Sequence, residues 1–238
     1  MKLAILGYGK MGKTVEEIAK SRQHKIVYIS SGELDTDQLK TADVAIDFSV
    51  PEAAFSNITT CLKHDVAIVS GTTGWLEKFD EAVSCCKSHA GRFLYASNFS
   101  VGVNVFFELN SYLAKMMSGL DQYDVKLKEI HHLEKKDAPS GTAISLAEQI
   151  IEKTNYSSWD HPPKETKTSI DIDAEREKGI FGFHDVTYDS EIDTITISHN
   201  AKSRKGFAHG AVIAAEWILN QSSGNYSMKD VLQLNSTT

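Results

Sequence analysis

The chain has 238 residues, enough for one large domain or two small ones. Its 41% of hydrophobic and 24% of charged residues are typical of a globular protein whose core needs no disulfides. The formal net charge of -7 argues against a general nucleic-acid binder, and no apolar stretch approaches the length of a membrane span. We therefore expect neither nucleic acid nor membrane as a partner.

The cysteines and the first residues indicate the compartment. Cys61, Cys85 and Cys86 are an odd set without regular spacing, which is typical of a reducing cytosol, and we interpret them as small apolar packing residues. The stretch 1–7 is too short for the apolar part of a signal peptide and runs directly into a glycine turn. These features favour a cytoplasmic protein.

Strand and helix patterns alternate in the first hundred residues. The strands are short apolar runs, and helical patterns follow several of them. We expect strands over 3–6, 25–29, 44–48, 66–69 and 93–96, and helices over 14–20, 51–62 and 76–88. Strands this apolar are typical of a parallel sheet covered on both faces, and the alternation favours a doubly wound α/β domain of the Rossmann type.

The pattern changes after residue 98. We expect helices over 103–117 and from 140 onward, strands over 125–130, 168–174, 183–188 and 194–199, and a polar surface loop over 155–167. This is an α+β block with an antiparallel or mixed sheet. A helical pattern over 206–219 then returns the chain to the first block. The predicted domains are therefore 1–99 plus 206–238 for dinucleotide binding, and 100–205 for the substrate and oligomer contacts.

The first turn of the chain carries a dinucleotide-binding fingerprint. Gly7, Tyr8, Gly9, Lys10, Met11 and Gly12 form a GxGxxG between a strand and a helix. Its glycines allow the tight turn, the approach of a pyrophosphate and close helix–strand packing. The alternative is a glycine-rich turn in another α/β fold.

The identity of the nucleotide stays open at this stage. An acidic residue that binds the ribose is expected at the end of the second strand, but Ser30 and Ser31 stand there and Glu33 is displaced. Lys10 with Ser30 or Ser31 suits a 2′-phosphate, which favours NADPH. Glu33 can still reach a ribose, so NADH remains an alternative.

Residues 129–143, called the central segment below, place histidines and lysines next to a predicted helix start. Ser140 is a good N-cap, and a helix N-terminus attracts anions. The segment therefore predicts a site where a small carboxylate or phosphate undergoes proton transfer. The alternatives are a plain polar loop, or a metal site of His131 and His132 with Glu129, Glu134 and Asp137. The metal spacing fits no familiar pattern, so we expect none.

The central segment resembles that of the 4-hydroxy-tetrahydrodipicolinate reductase (dihydrodipicolinate reductase) family, whose pattern is roughly E-x-H-H-x-x-K-x-D-x-P-S-G-T-A. The matching residues are Glu129, His131, His132, Lys135, Asp137, Pro139, Ser140, Gly141, Thr142 and Ala143. The resemblance extends to the first turn, two strand-end loops and the closing helix. Two departures are the missing acid–arginine pair near Ser30 and the Lys178 that follows Arg176 where a glycine is expected.

The resemblance implies an NAD(P)H-dependent reduction of 4-hydroxy-tetrahydrodipicolinate in lysine and diaminopimelate biosynthesis. It implies His131 and Lys135 as proton donors, either or both. It implies substrate contacts at His132, Ser140, Gly141 and Thr142, and cofactor contacts at Gly71, Thr72, Thr73, Ala96, Ser97, Asn98 and Phe99. It also implies a homotetramer built through the second-domain sheet, and Arg204 as partner of a substrate carboxylate or a neighbouring subunit. Rival interpretations are another two-domain dehydrogenase and a non-catalytic nucleotide sensor.

His131 and His132 are adjacent, and neighbouring side chains of a strand point to opposite faces. We therefore expect them to face one pocket only if the strand ends there.

Overall fold

A computed structural model describes residues 1–164, 166–203 and 205–234. The chain divides into two compact units, one of Met1–Asn104 with the chain from Lys205 onward and one of Val105–Arg204. The expected boundaries at 99/100 and 205/206 lie close to this division. Arg204, expected to contact a substrate carboxylate or a neighbouring subunit, lies outside the described residues.

The strands of the described residues form two sheets. In chain order they are β1 Lys2–Leu6, β2 Lys25–Ser30, β3 Val44–Asp47, β4 Ala67–Ser70, β5 Arg92–Tyr95, β6 Asp124–His131, β7 Ser158–Asp160, β8 Ser169–Arg176, β9 Gly182–Asp189, β10 Thr194–Ala201 and β11 Gly224–Tyr226. The expected surface loop over 155–167 thus contains a strand, because β7 pairs with β8 although its own sequence carries no alternating pattern. β11 has no apolar pattern either and is defined by its pairing with β5.

Most helices follow the predicted amphipathic patterns with shifted ends, and two short helices, at 36–39 and 228–231, were not predicted. They are α1 Lys10–Ser21, α2 Thr36–Leu39, α3 Pro51–Lys63, α4 Phe79–Ser88, α5 Val101–Met117, α6 Gly141–Lys153, α7 Lys205–Ile218 and α8 Met228–Val231, with a 3₁₀ turn at Leu76–Lys78. α1 begins four residues before the expected position, because Gly9 caps it and its first turn carries no apolar stripe. No helix of the described ranges is long and apolar enough to cross a membrane.

The sheet of the first unit has six strands in the order β11-β5-β4-β3-β1-β2, and all its pairs are parallel. Leu3 and Ile5 of β1 face the core under α1 and α7, whereas Ala4 and Leu6 face the core under α3 and α4. The central strands β1, β3 and β4 are thus buried on both faces, which explains their uninterrupted apolar runs. The predicted Rossmann-type fold is confirmed.

The sheet of the second unit is mixed, in the order β10-β9-β6-β8-β7. β9 pairs antiparallel with β10 and β6, whereas β8 pairs parallel with β6 and β7. One face packs on α5 and α6, and the burial of β6 alternates strictly from Val125 to His131. The other face is largely polar and includes the exposed strand β10.

The packing of α7 within the first unit supplies a matched stability test. A Cβ on Gly210 would lie 1.8 Å from the carbonyl oxygen of Phe99, whereas one on Gly206 of the same helix would meet nothing closer than 3.8 Å. We expect Gly210→Ala to lower the free energy of unfolding by about 2 kcal/mol or more through overpacking. Gly206→Ala should leave it unchanged or raise it by up to about 1 kcal/mol through helix propensity. Urea denaturation measures both, and equal stabilities would contradict this packing.

Candidate active site

Strand β6 determines which residues of the central segment become buried. Side chains alternate along the strand, so Glu129 and His131 lie on the same core-facing side as Val125 and Leu127. Glu129 is fully buried and His131 is 8% exposed. The strand ends at His131, and His132 begins the following loop. The core face of the second unit therefore finishes in a carboxylate and an imidazole.

The Glu129 carboxylate is held by donors from several elements. The Ser140 N–H donates to both oxygens at 3.1 Å, and Arg176 Nη1 lies 3.4 Å from Oε1. His184 Nε2 and His131 Nδ1 lie 3.5 Å and 3.6 Å from Oε2. Burial raises the pKa of Glu129, but the contacts with His184 and Ser140 and the charge of His131 outweigh it and lower the pKa to about 2. Glu129 is therefore an anion throughout the physiological range.

The two buried histidines lie against one another. The rings of His131 and His184 meet edge to face with centroids 4.9 Å apart, and His184 Nε2 is 3.2 Å from the Ser140 hydroxyl. Burial, and then the charge of His184, lower the pKa of His131 to about 4 despite Glu129. In the chain without ligand, His131 is therefore neutral at pH 7. The proton-donor role that the resemblance implies for His131 therefore requires this residue to take up a proton first.

Ser140 begins α6 as predicted. Its hydroxyl accepts the Ala143 N–H at 3.2 Å, and the helix starts at Gly141. A Cβ on Gly141 would meet nothing within 4 Å, so the backbone of this turn is open to an approaching group. The amides of Gly141 and Thr142 lie in the first helical turn, where N–H groups have no intrahelical acceptor. This end of α6 suits an anion.

Arg176 clamps the loop that carries Lys135. Its guanidinium donates from Nε to the Lys135 carbonyl at 3.2 Å and from Nη2 to the Asp137 carbonyl. Lys135 Nζ is paired with both carboxylate oxygens of Asp137, at 2.8 Å and 2.9 Å. Hydrogen bonding to Lys135 also lowers the pKa of Asp137. The loop thus presents an ammonium group in a fixed position near the start of α6.

Arg176 and His184 belong to this site, although the sequence patterns did not assign them a role in it. They stand 47 and 55 residues after Glu129 in the chain. The strand register brings them in, because His184 pairs with Glu129 across β9–β6, and Arg176 pairs with His131 across β8–β6. No local pattern signals such cross-strand partners, and only the pairing of three predicted strands would find them.

His132 faces a different space from His131. It lines an open cavity of about 530 Å³ together with Leu133, Glu134, Lys178, Gly179, Ile180 and Phe181. His131 instead packs beneath Gly182, where a Cβ would lie 3.3 Å from its Nε2. The two adjacent histidines are therefore separated, although β6 ends at His131 and the pleat does not extend to His132. Lys178 and Gly179, where the sequence departs from the family pattern, line this cavity.

A metal ion has one candidate cluster within the described ranges. Ligand atoms of Glu129, His131 and His184 lie within 4.8 Å of one another. This set differs from the sequence alternative, because Glu134 and Asp137 are not in it. The Glu129 carboxylate already accepts the Ser140 N–H and faces the Arg176 guanidinium, whose charge would oppose a cation at the same oxygens. The cluster fits a proton-holding network better than a metal centre.

The glycines of the first turn are required by close approach. Gly7 has φ +88°, and a Cβ on it would lie 2.2 Å from the Phe48 carbonyl oxygen. A Cβ on Gly12 would lie 2.1 Å from the Gly7 carbonyl oxygen, whereas Gly9 has nothing within 4 Å. Gly9 thus faces open space at the start of α1, where a phosphate can reach the backbone. The geometry agrees with the three roles that the fingerprint predicts.

A pocket of about 450 Å³ lies beside this turn at the carboxyl ends of β1, β2 and β3. Of the predicted nucleotide contacts, Gly7, Tyr8, Gly9, Ser30 and Ser31 line it. The lining also contains residues that the sequence analysis did not select, namely Leu6, Gly32, Leu34, Phe48, Ser49, Val50, Ala53 and Asn57. The Ser30 hydroxyl is engaged within its own turn, because it donates to the Gly32 carbonyl at 3.2 Å. Ser31 is the more exposed of the two serines.

The other predicted nucleotide contacts do not line this pocket. Met11, Lys10 and Gly12 lie in the first turn of α1, and Gly71, Thr72 and Thr73 follow β4. In the loop after β5, which holds Ala96 and Ser97, the carbonyl of Asn98 accepts from Asn104, and Phe99 is 2% exposed with its ring against Phe48. Phe99 is therefore a core residue and has only its backbone to offer a ligand, whereas Ser97 in the same loop is exposed.

The chain combines a doubly wound unit, which has a glycine turn and a strand-end pocket, with a buried histidine–carboxylate site. This combination is typical of a nicotinamide-dependent oxidoreductase. Comparison with known proteins gives the family. Residues 1–99 match the family pattern described as "Dihydrodipicolinate reductase, N-terminus", and residues 102–232 match "Dihydrodipicolinate reductase, C-terminus". The chain belongs to the dihydrodipicolinate reductase family, whose members use NADH or NADPH.

Relatives match the chain over most of its length. It is 54% identical over 234 residues to the 4-hydroxy-tetrahydrodipicolinate reductase of Christiangramia forsetii, which covers 98% of each chain. The enzyme of the same name from Rickettsia bellii is 37% identical over 231 residues, covering 93% of this chain and 90% of that one. A solved structure, dipicolinate-bound dihydrodipicolinate reductase from Paenisporosarcina sp. TG-14, superposes with a TM-score of 0.78 at 22% identity over 97% and 98% of the chains. At that identity the likeness concerns the fold.

The depressed pKa of His131 predicts a pH dependence of stability. Its pKa falls from 6.5 in the unfolded chain to about 4 in the fold, so the unfolded state binds the proton first as the pH drops. We expect the free energy of unfolding to fall by about 2 kcal/mol from pH 7 to pH 4.5 on this account. Urea denaturation at several pH values measures it.

The control is the pH dependence of the free energy of unfolding in two histidine variants. His131→Asn should flatten the pH dependence over this window, whereas replacement of the exposed His161 by Asn should leave it as in the parent chain. Glu129 loses its stabilising contribution mainly below its unfolded pKa of 4.5, so it adds little to the change over this window. An unchanged slope in His131→Asn would contradict the assignment.

Proposed function

We propose that this chain reduces 4-hydroxy-tetrahydrodipicolinate to tetrahydrodipicolinate in lysine and diaminopimelate biosynthesis, with a hydride from NADPH or NADH. The observation that carries the proposal is the gathering of Glu129, His131 and Ser140 into one site at the start of α6. These residues belong to the motif shared with the family, and relatives at 54% and 37% identity bear the name of this activity. A cyclic dicarboxylate needs anion contacts and a proton source, and the site offers both.

His131 and Lys135 are the proposed proton donors. The 4-hydroxyl leaves as water with a proton from the neighbouring ring carbon, which creates a C=C bond. The hydride then adds to one carbon of this bond, and the other carbon takes a proton. His131 is neutral in the ligand-free chain, but an anionic substrate beside it favours the imidazolium, so substrate binding and proton uptake are coupled. Lys135 presents an ammonium group held by Asp137 and stabilises negative charge that develops on the substrate.

The substrate carboxylates are assigned to the start of α6 and to His132. The Ser140 cap and the amides of Gly141 and Thr142 offer backbone N–H groups and the positive end of the helix dipole. His132 lines its own cavity and supplies a further donor. Arg176 holds the loop between these groups in shape.

The pocket of the first unit is the proposed site for either nicotinamide nucleotide. The lining residues at the end of β2 are Ser30, Ser31 and Gly32, none of which carries a carboxylate that would repel a 2′-phosphate. Exposed Lys10 in the first turn of α1 is the proposed cation for that phosphate. Glu33 is exposed and does not line the pocket, so we propose that NADPH is accepted at least as well as NADH.

The remaining proposals concern assembly and location. A homotetramer through the second-unit sheet is supported by its polar outer face and the exposed strand β10. Light scattering should then give a molar mass four times that of the chain, and a monomer would overturn the assembly. Cytoplasmic location is supported by three free cysteines, as a reducing compartment maintains them.

The activity is tested by following nicotinamide absorbance with freshly made substrate and either NADPH or NADH. Lys135→Ala should lower kcat by roughly 100-fold or more, because proton transfer or charge stabilisation is lost at the reacting ring. Its affinity for the nucleotide should not change, since the nucleotide pocket belongs to the other unit.

Lys136→Ala is the matched control, because this neighbouring lysine is exposed and outside the proposed machinery. It should retain the parent rate. Nucleotide binding without substrate-dependent oxidation in the parent chain would instead favour the sensor or another dehydrogenase.

A further inference from the structure

Asp47 ends β3 with a fully buried carboxylate. Its hydrogen-bond partners among the described residues are all neutral. Ser49 Oγ and Asn57 Nδ2 donate to one oxygen at 2.6 Å and 3.0 Å, and Ser70 Oγ and Thr72 Oγ1 donate to the other at 2.9 Å and 2.7 Å. A buried carboxylate without a cation is costly unless its lone pairs are taken, and here two donors meet each oxygen.

These donors come from separate parts of the first unit. Ser49 lies in the loop after β3, Asn57 in α3, and Thr72 in the loop after β4. The loops are also joined directly, because the Ser49 N–H donates to the Thr72 hydroxyl at 2.9 Å, and Asn57 Nδ2 donates to the Ser49 hydroxyl at 3.1 Å. One carboxylate thus fixes two strand-end loops and one helix relative to each other.

The fixed loops border the nucleotide pocket. Phe48, Ser49 and Asn57 line it. The Phe48 carbonyl oxygen leaves no room for a side chain at Gly7. The Phe48 ring leaves none at Gly71, because a Cβ there would lie 2.2 Å from the Phe48 Cε1 atom. A shift of the loop after β3 would therefore reach both the glycine turn and the loop after β4.

We propose that Asp47 is a positioning residue of the nucleotide site, whose carboxylate holds the loops after β3 and β4 in their nucleotide-binding arrangement before the nucleotide arrives. The inference rests on the nucleotide pocket assigned under the proposed function. Preorganised loops lose less conformational entropy on binding, so the carboxylate acts on affinity for the nucleotide. It touches neither the substrate nor the reacting atoms, and its effect on the chemical step is indirect.

An amide cannot replace the carboxylate in this role. The Asn57 side chain meets Asp47 with an NH₂ group, which only donates, so in Asp47→Asn the new amide oxygen must face Asn57 and its NH₂ must face Ser70 and Thr72. Hydroxyls can turn to accept, which allows the core to fold. The Thr72 hydroxyl already accepts from Ser49, and the contact that tethers the second loop is weakened.

The test compares Kd for NADPH and NADH, kcat with saturating nucleotide, and Tm without ligand. Asp47→Asn should raise Kd roughly tenfold or more while kcat at saturation changes little. Thr72→Val keeps the carboxylate and removes only the bridging hydroxyl, so it should raise Kd in the same direction and serves if Asp47→Asn fails to fold. Asp43→Asn is the control, since Asp43 precedes the opposite end of the same strand and is exposed.

The outcomes separate the claims. A lower Tm with unchanged Kd in Asp47→Asn and Thr72→Val would show a purely structural network and overturn the positioning role while the reductase proposal stands. A parent chain that binds neither nucleotide would overturn both. Raised Kd in the two variants, with Asp43→Asn unchanged, supports the positioning role.

Discussion

Glu129 lies fully buried on the core face of β6, and an isolated carboxylate cannot stay there without donors. The structure of the site follows from this requirement. The Ser140 amide, Arg176 and His184 come to it from the start of α6, from β8 and from β9. By meeting the carboxylate, they fix where α6 begins, how the loop before it is clamped, and which neighbour the His131 ring touches. The chemistry of the central segment is therefore a consequence of satisfying one buried charge.

The first unit meets the same physical problem with a different solution. Asp47 is buried without a cation, and four neutral donors from two neighbouring loops, from α3 and from the end of β4 take its lone pairs. The glycine turn beside it depends on backbone clearance, because Gly7 and Gly12 each face a carbonyl oxygen at a distance that no side chain tolerates. At the carboxyl edge of the parallel sheet, the hydrogen bonds of Asp47 hold the loops that border the pocket. The glycines of the first turn leave the backbone there free of side chains.

Charge and burial act in opposite directions on the ionisable groups of the second unit. Hydrogen bonding keeps Glu129 ionised despite its burial, whereas burial keeps His131 neutral despite Glu129. A site of this kind holds negative charge permanently and takes up a proton only when further negative charge arrives. This property suits an enzyme whose substrate is a dianion, since the proton is then present when the substrate is bound.

The sequence by itself determined the two folds, the glycine turn and the central segment, because apolar periodicity, turn residues and capping are local properties of neighbouring residues. It left the arrangement of His131 and His132 dependent on where the strand ends, and the structure separates them although β6 ends at His131. Only the tertiary structure decided that His184 and Arg176 join Glu129, that β7 and β11 are strands, and that Asp47 ties two loops together. Those facts depend on strand register and loop packing, which bring together residues far apart in the chain and leave no trace in local patterns.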